Sequence, residues 1–413
     1  MTFIENSFNR ETIESIKREG VAVVIFGAGI VGEALFHACR NMGIKVECFC
    51  DNNINKTQSS RCNIEVIHAL DLKAKYNDAV FLISAADIKD VIDQLHALGY
   101  SKWHASGLLL RDFNVSQCQF SAPMDFVEYA IATCLLCHDS YLIPDKLFLR
   151  SVDVIITERC SLKCRDCSNL MQYYKTPRDS NVNEVIRAIE VFCAIIDEVN
   201  EFRVIGGEPF MNKECHLIIK RLTDEPKARK VVIYTNGTIV PTKDQLECLK
   251  NEKVLFIITD YGKHSKRLSV LTEILLQNKI AFYAEKARGW TDCAKIMKHN
   301  RDIEQQKDIF RRCCAKNTIT LSKGKLFRCP FSANADRLRA IPDNENDCIS
   351  IIQGKQESAD SQDVKMKIRA FLLKKDLLQA CDYCNGRPFG APEITPAIQT
   401  SKPLEYTQYD TQY

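Results

Sequence analysis

The chain has 413 residues, which favours two or three domains, and 46% of them are hydrophobic, enough for well-packed cores. Its 56 Lys and Arg residues nearly balance 53 Asp and Glu residues, giving a net charge of +3, which argues against a nucleic acid or an anionic membrane surface as the main partner. No apolar run reaches the roughly 18 residues of a membrane-spanning helix, and the polar N-terminus is unlike a signal peptide. We therefore expect a cytosolic protein.

The chain contains 20 cysteines, a high number for the cytosol. Disulfides are disfavoured in that compartment, so clustered cysteines are more typical of metal sites. Several other cysteines lie inside apolar helix or strand patterns, where we predict buried, inert thiols. These are Cys39, Cys48, Cys50, Cys193, Cys215 and Cys248.

Residues 1–115 alternate helix and strand patterns, which predicts a parallel sheet covered by helices. The main segments are a helix from Glu11 to Glu19, a strand from Val21 to Phe26, a helix from Glu33 to Met42, a strand from Lys45 to Cys50, a strand from Ala79 to Ser84 and a helix from Ile88 to Leu98.

A glycine-rich turn joins the first of these strands to the next helix. Gly27, Gly29 and Gly32 form a G-x-G-x-x-G pattern, and Asp51 follows about twenty residues later. This context is typical of dinucleotide binding, with a phosphate at the helix N-terminus and the acid on a ribose hydroxyl. The region also resembles the small Rossmann-like modules attached to enzymes of carbohydrate and capsule biosynthesis. That resemblance implies a nucleotide or nucleotide-sugar ligand; the alternative is a module that serves assembly only.

Residues 116–148 predict a helical linker. Met124 to Leu136 is apolar enough for a helix, and Pro144 marks a boundary. Cys134 and Cys137 lie on one face of that helix. We favour a core position for both over a metal site, because no second pair lies nearby.

Residues 149–305 carry the most specific pattern of the chain. Cys160, Cys164 and Cys167 follow a strand from Ser151 to Thr157. Iron–sulfur clusters normally have four cysteine ligands, so three thiolates leave one iron open for a small molecule. The Cys-x3-Cys-x2-Cys spacing resembles the signature of the radical S-adenosylmethionine (SAM) family. Family members often carry an aromatic residue before the third cysteine, where this chain has Asp166. The alternative is a zinc knuckle or three unrelated buried thiols.

The resemblance implies a [4Fe-4S] cluster, SAM bound at the open iron, and a partial (β/α)6 barrel. The stretch Gly206-Gly207-Glu208 ends the next strand and resembles the family's GGE element, which implies that Glu208 pairs with the SAM ammonium group. Strand ends collect at one edge of such sheets. There we assign Asn236 to SAM binding and Arg288 to substrate contact or proton transfer.

Residues 306–388 predict a small α+β domain with a second set of thiolates. Its members are Cys314, Cys329, Cys381 and Cys384. Cys313 is the rival for the first position, and spacing to Gly324 favours Cys314. The set resembles the short "Twitch" form of the SPASM extension, which implies one auxiliary [4Fe-4S] cluster; a zinc ribbon is the alternative. Residues 389–413 predict an extended tail.

Together these features predict an α/β enzyme that cleaves SAM and abstracts hydrogen from a substrate C–H bond. A fully ligated auxiliary cluster favours electron transfer, so we expect oxidation or epimerisation of a sugar, nucleotide sugar or polyol. Epimerisation requires a hydrogen donor, for which Cys293 is a candidate. The expected partner is an electron donor such as flavodoxin or ferredoxin. The alternatives are a peptide-modifying maturase, a non-enzymatic redox sensor, and an NAD-dependent dehydrogenase, which the glycine turn alone supports.

Overall fold

The computed structural model describes residues 10–57, 59–342, 345–352, 361–388 and 390–409. The chain divides into two compact units, residues 1–148 and residues 149–413; we call them the N-terminal unit and the C-terminal unit. Among the described helices, none combines the length and apolar character needed to cross a membrane.

The N-terminal unit contains one six-stranded sheet in the order β3-β4-β2-β1-β5-β6. Its strands are β1 Ala22–Phe26, β2 Val46–Asp51, β3 Ser60–Arg61, β4 Ile64–His68, β5 Ala79–Ile83 and β6 Trp103–Ala105. Its helices are α1 Arg10–Glu19, α2 Ile30–Asn41, α3 Leu72–Lys75, α4 Ile88–Ala97, α5 Gly107–Leu110 and α6 Met124–Leu142. All pairings are parallel except that of β3 with β4.

Strand β1 lies in the middle of this sheet and is apolar on both faces. Val23 and Ile25 pack into one core with Leu35 of α2, while Val24 and Phe26 pack into the core on the opposite face. A strand covered by helices on both sides has no polar face, which is why the run from Val21 to Phe26 shows no alternation. The predicted parallel α/β organisation is confirmed.

The C-terminal unit contains an eight-stranded sheet in the order β11-β10-β9-β8-β7-β13-β14-β15, and a two-stranded sheet of β12 and β16. Its strands are β7 Phe148–Ile155, β8 Glu198–Ile205, β9 Ala228–Thr235, β10 Val254–Asp260, β11 Ala281–Lys286, β12 Trp290–Thr291, β13 Ile319–Ser322, β14 Lys325–Phe327, β15 Cys348–Ser350 and β16 Glu393–Ile394. Its helices are α7 Val182–Ile195, α8 Cys215–Thr223, α9 Lys243–Leu249, α10 Leu268–Gln277, α11 Ile303–Arg312, α12 Pro330–Leu338 and α13 Ser361–Lys374.

The large sheet extends past the segment predicted as the barrel. Strand β13 pairs in parallel with β7, with Ile319 opposite Val152. The antiparallel strands β14 and β15 then continue the same sheet. The alternating pattern from Asn317 to Arg328 predicts a hairpin, and in the structure this hairpin is joined to the parallel sheet by backbone hydrogen bonds.

The sequence pattern predicts one helix from Asn183 to Val199 and another from Val364 to Ala380, and both predictions were wrong at the C-terminal end. Helix α7 ends at Ile195, not at Val199, because Glu198 and Val199 belong to β8, where Val199 lies opposite Ala228. Helix α13 ends at Lys374, and a separate 3-10 turn, Gln379–Asp382, carries Cys381. In both places strand pairing or packing overrides local helix propensity.

Candidate active site and cysteine sets

The loop with Cys160, Cys164 and Cys167 follows β7 and is held by the end of β8. The backbone N–H of Gly207 donates to the carbonyl of Thr157 at 3.1 Å, and that of Glu208 donates to Arg159 at 2.9 Å. A Cβ atom on Gly207 would lie 2.2 Å from the Arg159 oxygen and 2.7 Å from Cys160 Cβ. The glycine is therefore required for this close approach.

Gly206 packs as tightly against the start of the same loop. A Cβ atom there would lie 2.3 Å from the Thr157 carbonyl oxygen. The Gly206 carbonyl also accepts a hydrogen bond from Asn169 Nδ2 at 3.0 Å. The Gly206-Gly207 pair thus docks the cysteine loop onto the sheet.

Glu208 is fully buried and its carboxylate already has protein partners. It accepts from Thr235 Oγ1 at 2.9 and 3.0 Å and from the Asn236 backbone N–H at 2.9 Å. Burial raises the pKa of Glu208 to about 7, although these hydrogen bonds oppose the shift. Glu208 therefore ties the end of β8 to the end of β9, a role that the sequence did not indicate.

Asn236 contacts the cysteine loop directly. Its Nδ2 lies 3.7 Å from Cys160 Sγ and 3.1 Å from Ser161 Oγ. Its Oδ1 accepts from Thr238. The side chain is thus fixed beside the first cysteine, in the region where we predicted a SAM contact.

Arg288 shows no comparable placement. Its side chain is 82% exposed and pairs with Glu285 three residues earlier. The structure gives no support to our prediction of a substrate or proton-transfer role for it. Asp166, by contrast, is buried and pairs with Arg165 at 2.9 Å.

The surroundings of the three sulfur atoms fit an iron–sulfur cluster. Burial raises the pKa of each thiol, whereas backbone N–H groups of Leu162, Asn169 and Met171 oppose the shift by hydrogen bonding to Cys160 or Cys167. Such donors favour sulfur that carries negative charge. The Cys164 sulfur has a donor of another kind, the side chain of Gln399.

The sulfur atoms of Cys160, Cys164 and Cys167 do not all lie within 4.8 Å of one another. Tetrahedral Zn–S bonds of about 2.3 Å place sulfurs about 3.8 Å apart. Within the described part of the chain, the one set of three ligand atoms closer together than 4.8 Å belongs to Glu33, His37 and Cys62. There the Glu33 carboxylate is occupied by Arg61 and Ser121, so we interpret that set as structural.

A second group of cysteines converges elsewhere in the C-terminal unit. The thiol of Cys329 interacts electrostatically with Cys313, Cys381 and Cys384, and burial raises its pKa far above the usual range. Cys313 also interacts electrostatically with Cys381 and Cys384. Cys329 begins α12, and its sulfur accepts from the Ser332 N–H at 3.3 Å.

Of the neighbours Cys313 and Cys314, Cys313 interacts electrostatically with Cys329, Cys381 and Cys384. Cys314 is exposed, and its backbone N–H donates to Arg387 at 2.8 Å. It interacts electrostatically with Cys313 and Cys293. The preference for Cys314, which rested on spacing alone, has no support in the fold. Cys293 interacts electrostatically with Cys313, Cys314 and Cys384.

The glycine turn of the N-terminal unit borders a cavity of about 360 Å³. A Cβ atom on Gly32 would lie 2.0 Å from the Gly27 carbonyl oxygen, whereas one on Gly29 would meet nothing within 4 Å. Asp51 accepts from the Ala28 N–H at 2.9 Å and from Lys56 Nζ at 3.0 Å. The carboxylate that we assigned to a ribose hydroxyl thus already braces the turn, and Lys56 adds a cation to the cavity.

In the same unit, Cys134 lies in the core, as predicted. It is buried and its thiol donates to the Ser84 carbonyl at 3.4 Å. His138, one turn further along α6, contacts the Cys134 sulfur and the Ala85 carbonyl. Among the described residues, this pair therefore has protein partners and belongs to no three-ligand set within 4.8 Å.

The C-terminal tail supplies site residues that sequence reasoning missed. Gln399 lies against Cys164, and Glu393–Ile394 pairs with β12. The segment is short, rich in polar residues and without periodicity, so it gives no local signal of this position.

Comparisons with known proteins bear on the central part of the chain. The profile described as "Radical SAM superfamily" matches residues 154–260. GTP 3',8-cyclase of Stenotrophomonas maltophilia (strain R551-3) is 35% identical over 89 residues, which are 21% of this chain and 27% of the cyclase. GTP 3',8-cyclase of Campylobacter jejuni (strain 81116) is 26% identical over 130 residues, 31% of this chain and 40% of the cyclase. The chain thus spans well under half the length of these relatives.

Solved structures show weaker likeness over longer stretches. BtrN in complex with AdoMet and 2-DOIA is 18% identical, with a TM-score of 0.37 over 59% of this chain and 94% of BtrN. SuiB of Streptococcus suis bound to S-adenosylmethionine is 15% identical, with a TM-score of 0.26 over 45% of this chain and 51% of SuiB. The profile match encloses Cys160, Cys164, Cys167, Glu208 and Asn236. The chain therefore contains a domain of the radical SAM superfamily.

Proposed function

We propose that the protein is a radical SAM enzyme that oxidises or epimerises a carbon of a sugar, nucleotide sugar or polyol. When bound, a [4Fe-4S] cluster with SAM supplies a 5'-deoxyadenosyl radical for hydrogen abstraction, and an auxiliary [4Fe-4S] cluster supplies an acceptor for one electron. Cys160, Cys164 and Cys167 hold the first cluster. We assign the second to Cys313, Cys329, Cys381 and Cys384.

One segment between β12 and α11 carries the proposal, because it connects the surroundings of the two cysteine sets. On one side Gln172 donates to the Ala294 carbonyl, and the Ile296 N–H donates to Tyr173. On the other, His299 N–H donates to Asp382, and Arg301 donates to the carbonyls of Cys381 and Cys384.

This connection sets an upper limit on the separation of the two regions. Eight residues, Ala294 to Arg301, reach at most about 28 Å when fully extended. Polar groups surround the segment on the side of the first set, including the Arg165–Asp166 and Lys295–Asp292 ion pairs. A substrate with many hydroxyl groups suits such surroundings, because each hydroxyl both donates and accepts.

Two features of the N-terminal unit support the proposal of a phosphate-bearing ligand. Gly29 leaves the α2 N-terminus open, and Lys56 lines the same cavity. Backbone N–H groups at a helix N-terminus and a lysine both favour a phosphate. A nucleotide sugar would thus be held through its phosphates, with Asp51 orienting Lys56.

The test begins with anaerobic reconstitution. We expect about eight irons per chain, from two four-iron clusters, and 5'-deoxyadenosine when SAM and a strong reductant such as reduced flavodoxin or dithionite are added. Incubation with a panel of nucleotide sugars and polyols in D2O should give either a product lighter by two hydrogens or a deuterium-labelled epimer. Intact SAM, or turnover of peptides alone, would contradict the proposal.

A further inference from the structure

Residues 393–409, which we call the C-terminal strap, follow the cysteine sets in an extended path. Glu393 and Ile394 pair with β12. The Leu404 N–H then donates to the Gln172 carbonyl, and the Tyr409 N–H donates to the Arg339 carbonyl. The strap therefore has anchors at several separate points of the C-terminal unit.

The middle of the strap lies directly on the first cysteine loop. The Arg165 N–H donates to the Ile398 carbonyl at 2.7 Å, and the Thr400 N–H donates to the Lys163 carbonyl at 2.7 Å. These two bonds flank Cys164 on either side, as in an antiparallel pair. The backbone around the central cysteine is thus fixed by residues more than 230 positions away.

Gln399 uses its whole side-chain amide in this contact. Its Oε1 accepts from the Lys163 N–H at 2.7 Å. Its Nε2 donates to Cys164 Sγ at 3.3 Å and to the Ala397 carbonyl at 2.7 Å. Because Nε2 donates to two acceptors, the direction of its N–H bond toward the Cys164 sulfur is fixed.

Apolar side chains surround the Cys164 end of the hydrogen bond between Gln399 Nε2 and Cys164 Sγ. Ala397 and Leu162 pack with Cys164, and Tyr261 and Trp290 pack against the same group. Ala397 adopts φ +57°, in the left-handed region that non-glycine residues disfavour. Cys164 is buried whereas Gln399 is exposed, so this N–H···S bond is partly shielded from water at its sulfur end.

From these contacts we infer that Gln399 is a positioning residue that tunes the reduction potential of the cluster held by Cys160, Cys164 and Cys167. Reduction adds negative charge to the cluster and its sulfur ligands. A donor to Cys164 stabilises that charge, so it raises the potential and eases delivery of the electron. The inference rests on the cluster site of the proposed function and adds a residue outside the matched family domain.

The experiment is an EPR-monitored redox titration of the reconstituted, full-length protein. The signal that changes on adding SAM identifies the first cluster, and the other signal is an internal reference. We expect Gln399→Leu to lower the midpoint potential of the first cluster by a shift equivalent to about tenfold in the reduction equilibrium, about 59 mV for one electron. Gln408→Leu is the matched control, because Gln408 is an exposed glutamine of the same strap.

Gln399→Glu is the second variant and decides the question if Gln399→Leu fails to load iron. Its carboxylate keeps an acceptor for the Lys163 N–H, has no donor for sulfur and adds a negative charge, so limited proteolysis of the strap should stay as in the wild type while the potential falls by more than loss of the donor alone would give. An unchanged potential in the loaded variant, or an equal shift in Gln408→Leu, would overturn the inference. A wild-type protein without any SAM-responsive signal would instead overturn the proposed function.

Discussion

The two cysteine sets of the C-terminal unit are assembled in opposite ways. The first comes from one loop between Cys160 and Cys167, directly after β7. The second is gathered from the end of α11, the start of α12, and the turn Gln379–Asp382 with the residues directly after it. In the first set, the ligands are close together in the sequence, and only the residues around them come from distant parts of the chain. In the second, the choice of ligands is itself decided by the fold.

Cys313 and Cys314 show why this difference matters. They are neighbours in sequence, yet Cys313 interacts with Cys329, Cys381 and Cys384 while Cys314 is exposed. Helix α11 ends at Arg312, and the backbone after it turns to pair with the segment at Arg387 and Pro388. Sequence spacing predicts the ligands of a metal site when they share one loop. It does not predict them when a helix end and a distant segment determine which side chain approaches the site.

The largest expected effect separates the two sets by function. Cys164→Ala should abolish formation of 5'-deoxyadenosine and remove about half of the iron, because a four-iron cluster loses one of three protein ligands. Cys381→Ala should also lose about half of the iron but still cleave SAM. Iron analysis and quantification of 5'-deoxyadenosine give both results. If Cys381→Ala also abolished SAM cleavage in a folded protein, the two sets would not be independent.

The next test concerns the assignment inside the second set. Cys313→Ala should lose about half of the iron, from about eight to about four per chain, whereas Cys314→Ala should keep all of it. Each variant removes one thiol, and the two positions are adjacent in the sequence, so each variant is a control for the other. The reverse pattern would restore the assignment made from sequence spacing.

A smaller effect is expected from the brace of the first set. Gly207→Ala places a methyl group 2.2 Å from the Arg159 carbonyl oxygen, and such overpacking costs about 1–3 kcal/mol. Thermal unfolding should therefore begin several degrees lower, and SAM cleavage should fall at least tenfold while iron of the second set is retained. Gly107→Ala, where the added methyl only reaches ordinary contact with Arg111, should leave both unchanged. Equal behaviour of the two variants would contradict the docking role of Gly207.

The smallest effect concerns the brace of the second set. Arg301→Met removes two hydrogen bonds to the carbonyls of Cys381 and Cys384, each contributing on the order of 1 kcal/mol. We expect a chelator to remove iron from the second set several times faster, while 5'-deoxyadenosine formation is unchanged. Lys307→Met, which removes a half-exposed cation paired with Glu304 and Asp376, should have little effect. Rates that match between the two variants would show that Arg301 is not a brace.

The N-terminal unit offers a further case of a local motif with distant support. The glycine turn was found from its spacing, and the structure places it beside a cavity with Lys56. The role of Asp51 changed, because its carboxylate bonds to Ala28 and Lys56 of its own unit. If Lys56 holds a phosphate, Lys56→Met should bind a uridine or adenosine diphosphate more weakly than the wild type does, as measured by calorimetry.

The sequence by itself determined the features that depend on near neighbours. The parallel strands showed as apolar runs such as Val21 to Phe26, and the loop of Cys160, Cys164 and Cys167 showed in its spacing, because one loop fixes the distances between its own ligands. Gly206 and Gly207 were recognised for the same reason, although only the structure shows that each leaves no room for a Cβ atom beside the cysteine loop.

Only the tertiary structure decided the features that depend on pairing between distant segments. These include β13 beside β7, the burial of Glu208 between two strand ends, the orientation of Cys313, and Gln399 on Cys164. The physical reason is that backbone hydrogen bonds and close packing can join residues at any separation along the chain. A polar segment such as the strap, with no periodicity of its own, then takes its conformation from the surface it covers.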